Sequence, residues 1–176
     1  MGIIKGGNRD SLKNTEYTHI KRNFGPVYDA ASKILILGSF PSVKSREAAF
    51  FYGHPQNRFW PLLGRILECE IPPDIEGRKM LLLDRGIALW DTIEECDIIG
   101  SSDSSIKNVI PVDIMRILDT ADIRAIYCNG GTSYRLFMKY LYPVCGICPV
   151  QLPSTSPANA AWSADRLYEE WKMING

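Results

Sequence analysis

The sequence predicts an α/β fold in which a parallel sheet carries helices on both of its faces. Short apolar segments alternate along the chain with segments of helical periodicity, a pattern typical of parallel sheets. Each of these segments is short and mainly apolar, as expected for strands of a sheet that is covered on both faces. Hydrophobic residues make up 45% of the 176 residues, enough for the core of one domain.

The first third of the chain contains one predicted strand and one predicted helix. Residues 1–25 are polar and mixed, and we expect a loosely held N-terminal arm ahead of a single domain over residues 26–176. Residues 33–38 (KILILG) are apolar, end in glycine and predict the first strand. A helix is predicted from Asn57 (NRFWPLLGRILE), because its apolar residues share one face and asparagine is a favourable N-cap.

The middle of the chain predicts a helix, a strand and a long loop. Residues 72–86 (PPDIEGRKMLLLDRG) predict a helix that ends at its terminal glycine. Residues 87–92 (IALWDT) predict the second strand. Residues 94–110 are rich in Ser and Asp and predict a long loop, a feature that is often functional in a compact domain.

The last third of the chain continues the alternation of strands and helices. Strands are predicted at residues 123–129 (IRAIYCN) and 148–154 (CPVQLPS). Helices are predicted at residues 111–120, 130–143 and 157–175, the second of them entered through two glycines. The chain therefore has four predicted strands, each with helices nearby.

The charge balance and the cysteine spacing narrow the function classes. Lys+Arg and Asp+Glu number 20 each, which argues against attachment to nucleic acid by bulk charge but not against a local basic patch. The five scattered cysteines do not resemble a disulfide framework, and the Cys145–Cys148 CxxC lacks the second ligand pair of a zinc site. We expect reduced thiols, no metal, a cytoplasmic location, and no signal peptide or membrane span.

Small and polar residues follow every predicted strand. The segments are, in chain order, Ser39-Phe40-Pro41-Ser42, Asp91 with the Ser/Asp loop, Asn129-Gly130-Gly131, and Pro153-Ser154-Thr155-Ser156-Pro157. Since ligands of open parallel sheets bind at the carboxyl ends of the strands, we expect these segments to meet at one rim. Amides, hydroxyls and helix N-termini there suit an extruded nucleobase and its phosphates.

Residues 50–60 (FFYGHPQNRFW) crowd aromatic rings around a single asparagine. Together with KILILGSFPS, this segment resembles the first motif region of the uracil-DNA glycosylase superfamily. LPSTSPANA resembles its second motif, the loop that enters DNA. The resemblance covers roughly residues 19–170 and is strongest to the hypoxanthine (deoxyinosine) branch.

The resemblance implies a three-layer α/β/α sandwich around a four-stranded parallel sheet. It also implies hydrolysis of the N-glycosidic bond to a damaged base in DNA, without a metal or redox cofactor. Two positions depart from better-known members of the superfamily. Phe40 stands where many carry Asp or Asn for the attacking water, and Leu152 stands where many carry His. Both fit the hypoxanthine branch, and both put uracil removal in doubt.

Asn57 is the predicted catalytic residue. Cleavage of the glycosidic bond leaves an oxocarbenium-like sugar that neutral water attacks, so a neutral amide can position that water. Tyr52, Phe40 and Asn129 are the predicted base-binding residues. The alternatives are a helix N-cap for Asn57, core packing for the two rings and a turn for Asn129.

The remaining candidates divide into two groups. Side chains expected to contact DNA, several of which could equally be ordinary solvated loop residues, are Ser42, Lys44, Ser45, Ser154, Ser156, Pro157 and Asn159. Side chains that could support the reaction, or could simply order their loops, are His54, Asp91 and Asp103.

The sequence leaves three functions open. The first is a monofunctional, monomeric glycosylase that removes hypoxanthine from DNA in base excision repair. The second is a glycosylase of the same fold directed at uracil or at mismatches. The third is a non-catalytic nucleic-acid-binding module, which Phe40 keeps open because it cannot hold a water.

Overall fold

The computed structural model describes residues 15–176, and within them the chain forms two sheets and a set of helices. The strands are β1 (Thr18–Lys21), β2 (Ile34–Gly38), β3 (Ile87–Asp91), β4 (Ile93–Ile98), β5 (Lys107–Pro111), β6 (Ala125–Asn129) and β7 (Val150–Leu152). The α-helices are α1 (Val43–Ala48), α2 (Phe59–Leu67), α3 (Ile75–Asp84), α4 (Met115–Leu118), α5 (Gly131–Leu136), α6 (Tyr142–Cys145) and α7 (Ala164–Trp171). A π-helical segment, Phe137–Leu141, joins α5 to α6, and 3₁₀ turns lie at Asp103–Ser105 and Lys172–Asn175.

The central sheet is parallel and has the strand order β3-β2-β6-β7. These are the four strands that the sequence predicts, so the predicted four-stranded parallel sheet is confirmed. Leu35, Ile36 and Leu37 of β2 are fully buried, as expected for the central strand of a sheet covered on both faces. All four strands end on the same side, which places the segments that follow them together.

A second, antiparallel sheet of order β1-β4-β5 was not predicted. The long loop predicted for residues 94–110 is wrong, because most of that stretch forms β4, a 3₁₀ turn and β5. Thr18–Lys21, within the predicted N-terminal arm, pairs with β4 along its length. Residues 1–14 of that arm lie outside the described residues.

Three helices differ in their boundaries from those predicted. Helix α2 begins at Phe59 with Arg58 as its N-cap residue, so Asn57, the predicted N-cap, lies one position before the observed cap. Helix α4 is a single turn instead of the ten residues predicted, and Pro111, the first of those ten, ends β5. The last helix begins at Ala164, where Ser163 caps it by accepting a hydrogen bond from the Arg166 N–H.

Helices α2 and α7 bring the last part of the chain against the aromatic segment. Phe59 and Trp171 are almost fully buried and meet edge to face, with ring centroids 6.1 Å apart. The Trp171 indole N–H donates to the Pro153 carbonyl, which anchors the segment after β7. No helix within residues 15–176 has the length and hydropathy to cross a membrane.

Candidate active site

A cavity of about 1110 Å³ opens at the carboxyl ends of the parallel strands. It is bounded by the segments that follow β2, β3, β6 and β7 and by the turn between β4 and β5. The predicted site residues all line it: Phe40, Ser42, Lys44, Ser45, Tyr52, His54, Asn57, Asp91, Asp103, Asn129, Ser154, Ser156, Pro157 and Asn159. The structure therefore brings the predicted residues to one place, including Tyr52 and Asn57.

Gly38 ends β2 at the floor of the cavity, in register with Asp91 of β3. A Cβ atom at Gly38 would lie 2.3 Å from Asp91 Oδ1 and 3.4 Å from the Tyr52 hydroxyl. The missing side chain at Gly38 is therefore what allows a carboxyl group and a phenol to approach each other over the end of the central strand.

Tyr52 is held rigidly at this floor. Its backbone is in the left-handed region, with φ of 54°, and its ring stacks on Phe59 with centroids 4.1 Å apart. The hydroxyl is buried and has no well-directed hydrogen bond to any of residues 15–176. Burial, and next the charge of Asp91, raise the pKa of Tyr52 far above its usual value, so the phenol stays protonated. Since Phe59 covers one ring face, a base could stack only on the other.

Asp91 is a buried carboxyl group that faces Arg22. Asp91 Oδ2 and Arg22 Nη1 lie 3.3 Å apart, with the two side chains 6% and 2% exposed. Burial raises the pKa of Asp91 from its ordinary 3.8 to about 6, although Arg22 opposes the rise. A second acidic group, Asp103, accepts hydrogen bonds from the Ser39 hydroxyl at 3.1 Å, and burial raises the pKa of Asp103 as well.

Asn57, Thr155 and Asn129 form one hydrogen-bonded chain. Asn57 Oδ1 accepts from the Phe59 N–H and from the Thr155 hydroxyl, each at 2.9 Å. Asn129 Nδ2 donates to Thr155 Oγ1 at 2.9 Å, and Asn129 Oδ1 accepts from the Thr155 N–H at 3.0 Å. Thr155 is fully buried. Sequence reasoning did not single it out, because a threonine among serines and prolines carries no local signal of this role.

Phe40 belongs mainly to the core. It is 8% exposed and packs with Ile93, Cys96 and Ile98 in a small cluster beneath the antiparallel sheet. Only part of Phe40 reaches the cavity wall, which agrees with the packing alternative more than with a base-stacking role.

The loop between β2 and α1 uses its serines to hold its own shape. Ser42 caps α1 by accepting from the Ser45 N–H. The buried Ser45 hydroxyl accepts from the Gly53 N–H at 3.0 Å, which ties this loop to the aromatic segment. Lys44 is exposed, and its ammonium group pairs with the equally exposed Glu47 at 3.1 Å. Because an exposed ion pair is weak, a phosphate can replace Glu47 as the partner of Lys44.

The segment after β7 is held by local bonds and by Arg58. Ser154 Oγ accepts from the Ser156 N–H, and Asn159 Nδ2 donates to the Ser154 carbonyl. The Arg58 guanidinium donates to the carbonyl oxygens of Ser156, Asn159 and Trp162. Arg58 is a second residue that sequence reasoning missed, since its partners lie about a hundred positions away along the chain.

His54 stabilises the turn within residues 50–60 by local hydrogen bonds. Its Nδ1 accepts from the Gln56 N–H at 3.1 Å, and its carbonyl accepts from the Asn57 N–H at 2.9 Å. These contacts agree with the loop-ordering alternative for His54. Within residues 15–176, no three His, Cys, Asp or Glu side chains are grouped to hold a metal ion.

The family model of the uracil DNA glycosylase superfamily matches residues 26–175. The chain belongs to this superfamily. A hypoxanthine DNA glycosylase from Methanosarcina acetivorans is 31% identical over 156 residues, covering 88% of this chain and 98% of that protein. A hypoxanthine DNA glycosylase from Methanosarcina barkeri is 38% identical over 115 residues, covering 64% of this chain and 73% of that protein.

A solved structure shares the glycosylase fold. The solution NMR structure of a candidate uracil DNA glycosylase from Methanosarcina acetivorans superposes with a TM-score of 0.76 at 31% identity. The match covers 90% of this chain and 97% of that one. The cavity described above therefore lies in a glycosylase domain.

Proposed function

We propose that this glycosylase hydrolyses the N-glycosidic bond between deoxyribose and hypoxanthine in DNA, as a step of base excision repair. The observation that carries the proposal is the shared cavity, which joins Asn57, Tyr52 and the carboxyl groups of Asp91 and Asp103 at the rim of a superfamily fold. The two relatives described as hypoxanthine DNA glycosylases support the choice of base.

The reaction needs little chemistry from the protein. The C1′–N9 bond breaks and its electron pair leaves with the base, which makes the sugar cationic. A water molecule adds to C1′; one of its protons ends on the base, and the other remains in the new hydroxyl group. The protein can stabilise the charges and exclude solvent. Asp91 and Asp103, when ionised, give the cavity a negative potential that favours the sugar cation, and Asn57 is the proposed catalytic amide.

The geometry changes which of the three predicted base-binding residues we expect to contact the base. Tyr52 lines the cavity and stacks on Phe59 with one ring face, so it remains the first candidate for stacking on the base with the other face. Asn129 already bonds Thr155 through both of its polar atoms. We therefore assign Asn129 to holding the site, and Phe40 to the wall of the pocket.

DNA contact is proposed for the rim. The candidates are the cavity-lining residues of two loops, which would bind the strand around the extruded nucleotide: Lys44, Ser154, Ser156, Pro157 and Asn159. With zero formal net charge, the protein should bind DNA modestly and with marked salt sensitivity. We further propose that it acts as a monomer in the cytoplasm, where its five free thiols stay reduced.

The proposal is tested with labelled duplexes that each carry one deoxyinosine, xanthine or uracil, followed by alkali to cut abasic sites. We expect strand scission at inosine that is strongly slowed but still measurable in Asn57→Ala, with the fold unchanged by circular dichroism. Scission mainly at uracil would establish the uracil glycosylase instead. Binding without scission by both proteins would establish a non-catalytic module.

A further inference from the structure

The amide of Asn57 can be oriented without ambiguity. The backbone N–H of Phe59 can only donate, so the atom of Asn57 that faces it at 2.9 Å is Oδ1. Oxygen and nitrogen of an asparagine side chain are distinguished by such partners and by little else. The Phe59 N–H therefore sets which way the Asn57 amide points.

The same reasoning fixes the other two members of the chain. The backbone N–H of Thr155 can only donate, so Asn129 presents Oδ1 to it and turns Nδ2 toward Thr155 Oγ1. Since the Thr155 hydroxyl accepts from Asn129, its single proton is free to point at Asn57 Oδ1, 2.9 Å away. Two backbone N–H groups thus determine the direction of every bond in the chain.

The arrangement saturates Asn57 Oδ1. A carbonyl oxygen has two lone pairs, and here one receives the Phe59 N–H and the other the Thr155 O–H. Nδ2 is then the one side-chain polar atom of Asn57 that bonds none of residues 15–176, and Asn57 lines the cavity. The group that Asn57 can offer to a substrate is a donor.

We propose that Thr155, backed by Asn129, is a positioning residue that holds the Asn57 amide with its Nδ2 group toward the cavity, so that Asn57 acts on the substrate as a hydrogen-bond donor. This inference rests on the proposed glycosylase function and refines it. A donor is useful where negative charge develops, which in this reaction is the departing base. Asn57 then stabilises the leaving group and does not take a proton from water.

The rates of single-turnover cleavage of the inosine duplex test the positioning role. Thr155→Val removes the hydroxyl at similar volume and should lower the rate about tenfold to a hundredfold, since a small misplacement at the reacting centre has effects of this size. Thr155→Ser keeps the hydroxyl and should restore most of the rate. DNA affinity should change little in either variant. Thr92→Val is the matched control, because Thr92 is also buried and its hydroxyl donates to the Ser39 carbonyl, away from the Asn57–Thr155–Asn129 chain.

A double-mutant cycle separates positioning from general support of the fold. In an Asn57→Ala background, Thr155→Val should cause no further loss of rate, because its effect passes through the amide that is already gone. An equal loss in both backgrounds would overturn the proposal.

The direction of the amide is tested by Asn57→Asp. A carboxylate can still accept from Phe59 and Thr155, but it presents an acceptor and a negative charge to the departing base. We expect this variant to be at least as impaired as Asn57→Ala. An aspartate variant with wild-type activity would show that Asn57 acts as an acceptor for water, and the proposal would be wrong.

A measurement without substrate keeps the inference separate from the proposed function. In ¹⁵N-edited spectra of the wild-type protein, the Asn129 side-chain amide protons should be protected from solvent exchange, and Thr155→Val should remove that protection. Unprotected Asn129 protons in the wild type would refute the chain of bonds, whatever bases the enzyme cleaves. Protection combined with no cleavage of inosine would instead remove the proposed substrate.

Discussion

Asp91 and Asp97 lie six positions apart in the chain and both face a cation from the segment around β1, yet their pKa values move in opposite directions. Asp97 is on the exposed antiparallel sheet, where hydrogen bonds from Asn108 and then His19 lower its pKa. Asp91 is at the floor of the cavity, where burial raises its pKa to about 6 in spite of Arg22. The pairing partner alone therefore does not decide the protonation of a carboxyl group; the surrounding solvent does.

The difference has a functional consequence. A carboxyl group that stays in water is always ionised near neutral pH and costs the fold nothing, but it exerts little potential at a distance because water screens it. The buried group acts strongly on whatever enters the cavity, and it requires a buried cation and a glycine beside it to be tolerated. Three predictions would break or sharpen this comparison.

The largest effect is expected from Arg22→Met. It leaves the Asp91 charge without its buried partner, which typically destabilises a protein by about 3–5 kcal/mol. Burial raises the pKa of Asp91 above 3.8, so ionisation of this group lowers the stability of the fold as the pH rises from that value through about 6. The loss in Arg22→Met should therefore be greater above pH 6 than below it. Urea unfolding at several pH values measures this.

Lys21→Met is the matched control for that experiment. Lys21 is the neighbouring residue, but it is exposed and its partner is the half-buried Glu95 on the antiparallel sheet. We expect little change in stability and no dependence on the protonation of Asp91. If the two variants lost the same stability, the distinction between the two regions would not hold.

A smaller effect is expected from Gly38→Ala. The added methyl group would lie 2.3 Å from Asp91 Oδ1, so the carboxyl group or the strand must move. Overpacking of this kind costs about 1–3 kcal/mol, and the displaced Asp91 should also slow inosine cleavage. Gly25→Ala is the control, because a Cβ atom there has no neighbour within 4 Å. Thermal melts and single-turnover rates measure both effects; an unchanged rate in Gly38→Ala would separate Asp91 from the chemistry.

The smallest effect is expected from His19→Gln on the exposed sheet. Hydrogen bonds that the His19 ring donates to Asp97, and next to Glu95, raise the pKa of His19 above 6.5. The stabilisation from this cluster is therefore fully present below pH 6.5 and is lost as the pH rises through the raised pKa. Thermal melts of His19→Gln should differ from the wild type only on the acid side and only at low salt. A difference that persisted in alkali would indicate a packing role for His19.

The central sheet could be predicted because the residues that indicate each strand are neighbours in the sequence. The runs at residues 34–37, 87–90 and 125–128 are continuously apolar, and each is followed by a polar or small residue. The antiparallel sheet could not, because β4 carries Glu94, Glu95 and Asp97 and its pairing with β5 contains irregularities between residues 93 and 97. These irregularities disrupt the alternation by which a half-exposed strand is recognised.

The site divides in the same way. The residues on the strand-end segments could be predicted to share a rim, and the structure places them around one cavity. Their individual tasks could not, as Asn129, Ser45 and His54 show: each bonds the protein with the polar atoms that the sequence suggested for a ligand or a reaction. Thr155 and Arg58 gained their importance from partners about a hundred residues away.

The sequence by itself determined the superfamily, the order of the four parallel strands along the chain and the segments that form the rim. These depend on hydrophobic runs and on turn-forming residues, which act over a few neighbouring positions. Only the tertiary structure decided which side chains hold each other and which remain free for a substrate. Each side chain can make only a limited number of hydrogen bonds. Whether its donors and acceptors are already bonded within the protein depends on atoms that the fold brings together from distant parts of the chain.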